Sequence, residues 1–358
     1  MRVVLNQSDR ESLKRLRATC DSNYRLTRLY SRYLSEAPRL VSSDMISELT
    51  KCGITEEHAF GLILSAAFGL DTENSADDRR FERDYILPSI KKLDPKRYTE
   101  NPYYKNIRIP DVTSGKWQLK NQTYEPYQGF ICDDLFPLSD YREMPKIGFF
   151  SESFDFPAIL ENGNEWMTLT PVDLDTCTEA IASARGNVVT FGLGLGYYTY
   201  MVSEKEEVSS VTAIDISDDA IGMFKKHILP QFPHRDKVRV VKCDAFEYAE
   251  KIMPGEKFDF AFVDTWRDVS DGFDMYIRMK RLEKLNGGTE FSYWVEGLIL
   301  SHLRWLVFEE LWSAAAKGDS SSVFGVARIE SFDDISKMLS RDSLRRLAAD
   351  LKRVGDGK

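Results

Sequence analysis

Residues 186–202 read GNVVTFGLGLGYYTYMV. Val188, Val189 and Phe191 supply the apolar, partly β-branched run that a buried parallel strand needs. Gly192, Gly194 and Gly196 follow at alternate positions. Glycine lets the chain turn tightly out of a strand and lets other atoms approach the backbone closely. A helix beginning near Gly196 turns free N–H groups toward that space. A packing turn between strand and helix, with no ligand at all, uses the same glycines.

Three further strand ends weigh against packing alone. The stretch VTAID ends in Asp215, nineteen residues after Gly196. A carboxylate at the carboxyl end of a second strand accepts hydrogen bonds from both ribose hydroxyls. Its plainer role is to cap the helix that starts ISDDAI, which Asp218 does equally well. Next, VRVVKCDAFEYA carries a strand through Cys243 and sets Asp244 and Ala245 at its end. An acidic side chain there reaches an adenine amino group, and the backbone beside it a ring nitrogen. KFDFAFVDTWRD then gives a fourth strand ending in Asp264. All these side chains fall at carboxyl ends of parallel strands, where open α/β sheets bind ligands.

Outward from this core, expected strands at 187–192, 210–215, 238–243, 258–264 and 290–295 alternate with helices at 173–185, 196–204, 217–228, 244–253, 272–286 and 297–316. A repeat of roughly 25 residues predicts an α/β fold: a doubly wound, mostly parallel sheet covered by helices on both faces. Residues 1–95 read as a helical N-terminal domain, with amphipathic stretches at 8–36, 43–52, 76–93 and after Thr55. From 96 to 165 the chain is rich in Pro, Tyr, Phe, Asn and Asp. Short extended pieces such as NIRIP, YQGFICD, KIGFF and FPAIL predict strands and ordered loops forming an aromatic bridge or lid. The α/β domain is expected over 166–320, with a helical C-terminal extension over 321–358.

Composition agrees with a globular chain: 42% of the 358 residues are hydrophobic and 29% charged. The net charge of −9 lowers the expectation of a nucleic acid partner, because phosphates are repelled. The five cysteines, at 20, 52, 132, 177 and 243, form no CxxC pair and read as reduced thiols, so a cytoplasmic location is expected. The histidines at 58, 227, 234 and 302 show no metal-ligand spacing, and no metal site is expected. The N-terminus has no apolar core of a signal peptide, and no apolar run approaches a bilayer span.

FGLGLG, TAID, KCDAFEY and FDFAFVD, in this order and at these distances, resemble the glycine motif, the acidic second-strand end, the adenine-side motif and the fourth-strand motif of class I S-adenosylmethionine-dependent methyltransferases. The resemblance covers roughly residues 165–300. It implies S-adenosyl-L-methionine as cofactor, with Gly192, Gly194 and Gly196 lining its methionine and ribose side and Asp215 taking the ribose hydroxyls. Asp244 and Ala245 would address adenine with Phe246 near the ring, and Asp264 would face the methionine moiety or the acceptor. In WMTLTPVD, residues 166–173, Thr168 or Thr170 lies beside the cofactor carboxylate, or the stretch is a strand followed by a helix with Asp173 in its cap. The capped helix is the favoured reading.

The acceptor is not legible in these motifs, because methyl transfer to a nucleophilic atom needs mainly alignment in a dry site. No NPPY or DPPY run follows the fourth strand, which disfavours amide or exocyclic amino nitrogens as acceptors. A small-molecule acceptor is expected, without membrane involvement, and a homo-oligomer is compatible with the sequence. Trp266, Tyr293 and Glu296 are candidate substrate contacts, with Tyr124, Tyr127, Glu152, Phe150, Phe154 and Asp155 of the bridge opposite them. Those aromatics otherwise glue the N-terminal domain to the sheet. Aminopropyltransferases share the fold and use decarboxylated S-adenosylmethionine. Their strand-four acidic run departs from DTWRDVSDG, where Asp268 comes one residue later and no proline is present. Their N-terminal β-domain is not evident in a helical 1–95. A non-catalytic nucleotide-binding scaffold is the third reading.

Overall fold

The computed structural model describes residues 2–267, 269–317 and 328–351. Asp268 and the expected extension at 321–327 and 352–358 lie outside the described residues. After strand β1 (Arg2–Val3), helix α1 (Gln7–Glu36) runs for 30 residues from an Asn6 cap, whose side chain accepts from Asp9 N–H at 2.9 Å. Its first turns bury Leu13 and Leu16 among residues of the α/β core, and its last turns bury Leu26, Tyr30 and Tyr33 in a separate N-terminal core. Helices α2 (Ser43–Thr50), α3 (Glu56–Ala67) and α4 (Ala76–Phe81) complete that second core. Ser42, Thr55 and Ser75 cap them, each side chain accepting a backbone N–H three residues on.

Strand β2 (Ile90–Lys92) and the short helices α5 (Pro95–Thr99) and α6 (Pro102–Asn106) lead into two sheets. Strands β3 (Val112–Ser114) and β4 (Trp117–Tyr124) come first, then β5 (Phe130–Ile131), β6 (Ile147–Phe149), β7 (Phe154–Glu161) and β8 (Asn164–Thr168). One sheet has order β2-β6-β5, and the other is antiparallel with order β3-β4-β7-β8. Asn162 and Gly163, at φ of 51° and 82°, make the tight turn between β7 and β8. The ordered strands expected over 96–165 are therefore largely a real antiparallel sheet. A β-layer thus precedes the α/β part, although residues 1–95 themselves are mostly helical.

Helices α7 (Pro171–Thr176) and α8 (Thr178–Ser183) precede the alternating half. It comprises β9 (Gly186–Phe191), α9 (Tyr197–Ser203), β10 (Val208–Asp215), α10 (Asp218–Met223), β11 (Val238–Lys242), α11 (Ala245–Glu247), β12 (Phe260–Val263), α12 (Val269–Glu283), β13 (Glu290–Tyr293) and α13 (Glu296–Lys317). The five strands pair in the order β11-β10-β9-β12-β13, all parallel. The first strand is central and the direction of winding reverses beside it, as a doubly wound sheet requires. Val188, Val189, Phe191, Val211, Ala213, Ala261 and Val263 are at most 1% exposed, so helices cover both faces. Two expected helices change pitch along their length. After Met223 and Glu247 the turns widen to π geometry over Phe224–Ile228 and Tyr248–Ile252, then tighten at Leu229-Pro230 and Met253-Pro254. Proline has no N–H to give the preceding turn, and the helix ends there. Strand β14 (Arg328–Ile329) pairs in parallel with β1, followed by α14 (Phe332–Met338) and α15 (Arg341–Asp350). No helix among the described residues is long and apolar enough to cross a membrane.

Candidate active site

Four strand ends and the edge of the antiparallel sheet enclose one cavity of about 390 Å³. Gly192, Leu193 and Gly194 follow β9; Asp215, Ile216 and Ser217 end β10; Cys243, Asp244, Ala245 and Phe246 follow β11; Asp264, Thr265, Trp266 and Arg267 follow β12. Trp166, Met167 and Thr168 of β8 form a further wall. Gly192, Gly194, Asp215, Asp244, Ala245, Phe246, Asp264 and Trp266 thus line one cavity. Gly196 sits one step back, beside a smaller void that adjoins the same glycine turn.

The glycines owe their identity to backbone shape. Gly192, Gly194 and Gly196 have φ of 99°, 51° and 77°, a region that favours glycine. A Cβ at Gly194 would strike Met167 Sδ, and one at Gly192 the Asp264 carbonyl oxygen. Protein atoms rather than open ligand space therefore fill the positions where their side chains would start. The turn serves packing and thereby sets the cavity floor.

Asp215 accepts from the backbone N–H of Leu193 at 3.1 Å and of Ser217 at 2.8 Å, so it ties the glycine turn to the end of β10. Burial pushes its carboxyl up, against these donors. The cap of α10 is Ser217, which leaves Asp215 at the cavity wall. Asp244 Oδ1 accepts from Phe246 N–H at 3.0 Å and Glu247 N–H at 2.9 Å, capping α11. Arg278 lies over the Phe246 ring at 4.1 Å from its centroid and holds the ring at the wall.

The sequence predicts Asp173 as a helix cap; the cap is Thr170, and Asp173 is its partner at the third helical position. Thr170 N–H and Oγ1 donate to it at 2.7 and 2.8 Å, in the capping box of α7. It also lines the cavity, which its sequence role does not reveal. Burial pushes its carboxyl up to about 6. Burial, with the charge of Asp173 added, pushes Asp264 up to about 8. Two buried side-chain polar atoms beside Asp264, Thr265 Oγ1 and Trp266 Nε1, have no hydrogen-bond partner in the protein. Both atoms are closed off from the surface, so this strand end is an apolar, poorly solvated setting for the two acids. Trp294, whose indole N–H donates to Thr176 at 3.1 Å, completes this end.

Two predicted contacts are elsewhere. Tyr293 is 6% exposed and its hydroxyl donates to Glu283 at 2.8 Å, so the ring belongs to the core beneath the strand end. Glu296 is 4% exposed and accepts from Tyr276, Arg341 and Arg345. The chain reverses at Val295, whose φ of 43° is rare for a β-branched residue, and this aims Glu296 at α15 instead of the cavity. The bridge aromatics do not border the cavity either. Tyr124 stacks on Phe130 at 4.2 Å and Phe150 on Phe154 at 4.5 Å, and Tyr127 packs on Phe149. They hold the layers together.

No family model matches the chain, and no curated protein does. Among solved structures, it is similar to the spermidine synthase of Thermotoga maritima, at 14% identity and a TM-score of 0.29, over 42% of this chain and 58% of that one. It is also similar to the precorrin 8W decarboxylase of Methanobacterium thermoautotrophicum, at 22% identity and a TM-score of 0.27, over 35% of this chain and 63% of that one. The chain spans less than two thirds of the length of either. Likenesses at this level bear on nothing beyond the fold.

Proposed function

We propose that the chain is an S-adenosylmethionine-utilising transferase acting on a small-molecule acceptor, with methyl transfer as the first reading. The observation that carries it is the gathering of Asp215, Asp244 and Asp264 from three successive strand ends into one cavity, over a glycine turn. The residues present suit such a group. A carboxylate at the second strand end is placed for ribose hydroxyls, the Asp244–Phe246 stretch offers a polar edge and a ring face for adenine, and Asp264 lines the end left for a polar tail. When bound, S-adenosylmethionine supplies an alkyl group activated by its sulfonium. This chain's residues orient and desolvate. Met167 and Trp166 cover one side of the cavity, and Asp264 holds or takes a proton close to neutral pH, as a base for an acceptor with an acidic N–H or O–H.

A second reading is favoured by the charge at the tail end. Asp173 and Asp264 both face it, and the one basic side chain among the described residues of the wall, Arg267, is paired with Asp271 at 3.1 Å. A cationic propylamine tail suits two carboxyls better than a methionine carboxylate does. This supports decarboxylated S-adenosylmethionine as donor and an amine as acceptor, and the antiparallel sheet ahead of the α/β half removes one objection to it. Parallel calorimetric titrations with S-adenosylhomocysteine, decarboxylated S-adenosylmethionine and NAD separate the readings. Tight S-adenosylhomocysteine binding supports methyl transfer, preference for the decarboxylated compound supports aminopropyl transfer, and preference for NAD or binding of none overturns both.

A further inference from the structure

On the far side of α12 and α13 lies a second cavity of about 380 Å³. Its walls come from α1, the loop at 135–143, the start of α12 and one face of α13. Leu16, Leu298, Phe308 and Leu339 give it an apolar interior. Two exposed aromatics border it, Tyr24 at 59% and Trp305 at 43% exposure.

The polar groups in these walls are satisfied among themselves. Glu143 is paired with Arg304, side chains 12% and 8% exposed, and accepts from the Ser301 hydroxyl at 2.6 Å. Arg304 also donates to the Leu339 carbonyl at 3.2 Å. The Asn23 side chain donates to the Tyr141 carbonyl at 2.9 Å and accepts from Glu143 N–H at 3.1 Å. Burial holds His302 below its usual range, hence neutral at pH 7, with its ring against Phe273. Burial pushes the Cys20 thiol up to about 12, so it is neutral too. No described residue of the lining offers a free charge to a ligand. Tyr141 is held at φ 65°, a conformation costly for a bulky side chain, while lining this same space.

We propose that this cavity is a ligand site for a neutral molecule of two or three aromatic rings, held by apolar burial and by flanking contact with Tyr24 and Trp305. The size fits: a cavity of roughly 150 Å³ with apolar walls accepts a benzene, and this one is more than twice that. A charged ligand would forfeit its hydration without meeting a counter-ion. The site is distinct from the strand-end cavity and does not depend on which donor that cavity takes. It shares two helices with it, since α12 and α13 begin beside Arg267 and Trp294 and run past this second space.

The test uses the full chain and two dyes with the same rings. N-phenyl-1-naphthylamine is neutral, and 1-anilino-8-naphthalenesulfonate carries a sulfonate. The neutral dye should bind saturably at one equivalent with blue-shifted emission, and the anionic dye at least about ten-fold more weakly. Trp305→Ala and Tyr24→Ala alter exposed side chains and should keep the circular dichroism of the parent. Each should weaken the neutral dye about ten-fold. Saturating S-adenosylhomocysteine should leave the dye in place. Absence of saturable binding, equal binding of both dyes, unchanged affinity in both variants, or displacement by S-adenosylhomocysteine would each overturn the proposal. So would a sedimentation result showing a dimer that Trp305→Ala dissociates, because a second copy would then fill this face.

Discussion

Asp173, in the capping box of the helix before the sheet, and Asp264, at the end of the fourth strand, share one cavity wall, and the charge on Asp173 adds to burial in pushing Asp264 up to about 8. Both carboxyls bind protons more tightly in the folded chain than in the unfolded one, whose value lies near 3.9. Between about pH 4 and 8 the unfolded chain has released protons that the folded chain retains, so these groups lower stability as pH rises through that window. Asp264→Asn should therefore raise the melting midpoint by roughly 5 °C at pH 8, with the gap closing toward pH 4. Transfer activity should fall at least about a hundred-fold if Asp264 acts as base. Calorimetric melts across pH check the first, and an unchanged midpoint at pH 8 would show that the carboxyl is not penalised by its burial.

Asp215→Ala should cost donor affinity where Asp218→Ala does not. Asp215 lines the cavity and fixes Leu193, whereas the Asp218 side chain is 71% exposed and pairs with Lys242. Loss of a charged hydrogen-bond partner costs about 1.5–3 kcal/mol, or about one to two decades in affinity. Titration of both folded variants with S-adenosylhomocysteine decides it, and equal losses would remove Asp215 from the site.

At Gly194 the obstacle is Met167. Gly194→Ala meets both a φ of 51° and the methionine sulfur, so it should lower stability by about 1–3 kcal/mol and weaken the donor. Adding Met167→Ala should recover part of the stability, because the contact is relieved, but not the strain of the backbone. Urea melts of the single and double variants test this, and strict additivity would contradict it.

Glu296→Gln should destabilise the chain by about 1–3 kcal/mol, since it removes the charged acceptor of Arg341 and Arg345, which solvent reaches and partly compensates. Burial opposes the Glu296 charge, but hydrogen bonds and charge from Arg345 overcome it and hold the carboxyl below its usual range. Its contribution is present above the unfolded value and is lost as pH falls through the depressed folded one. Donor affinity in the folded variant should stay within a few-fold of the parent. A large loss of affinity would return Glu296 to the binding site.

Trp266 is 5% exposed and stands between the two roles proposed for it. Its ring packs against Gly272 and alongside Tyr276 and Tyr293, while its indole N–H has no partner. Trp266→Ala should cost about 3–5 kcal/mol of stability. Trp266→Phe should keep most of the stability while losing the donor atom. Acceptor KM measured in the Phe variant separates ligand contact from packing.

The sheet was legible because its signals are local. Each strand is a short apolar run closed by an acid or a glycine turn, and those runs place Asp215, Asp244 and Asp264 with no long-range information. Glu296 was misplaced because Val295 before it takes a left-handed conformation that an L-side chain rarely announces, and Tyr293 because it lies on the core face of β13. The antiparallel sheet was half visible. The Asn162-Gly163 pair between FPAIL and NEWMT is a hairpin signal in itself. Its consequence, that β8 would wall the cavity with Trp166 and Met167, depends on how two sheets dock and is not written in either one. The double duty of Asp173 was hidden for the same reason.

The parallel pairing of β1 with β14 joins Arg2–Val3 to Arg328–Ile329, across nearly the whole chain. During synthesis the first strand emerges long before its partner exists. Until then Val3 and Leu5, which end in the α/β core, have no finished surface to join. Closure of that core is thus a late event with a long loop to close, slow by topology and open to aggregation while it waits. A ribosome-bound chain stalled before residue 328 should keep the N-terminal strand open to protease, and release should protect it.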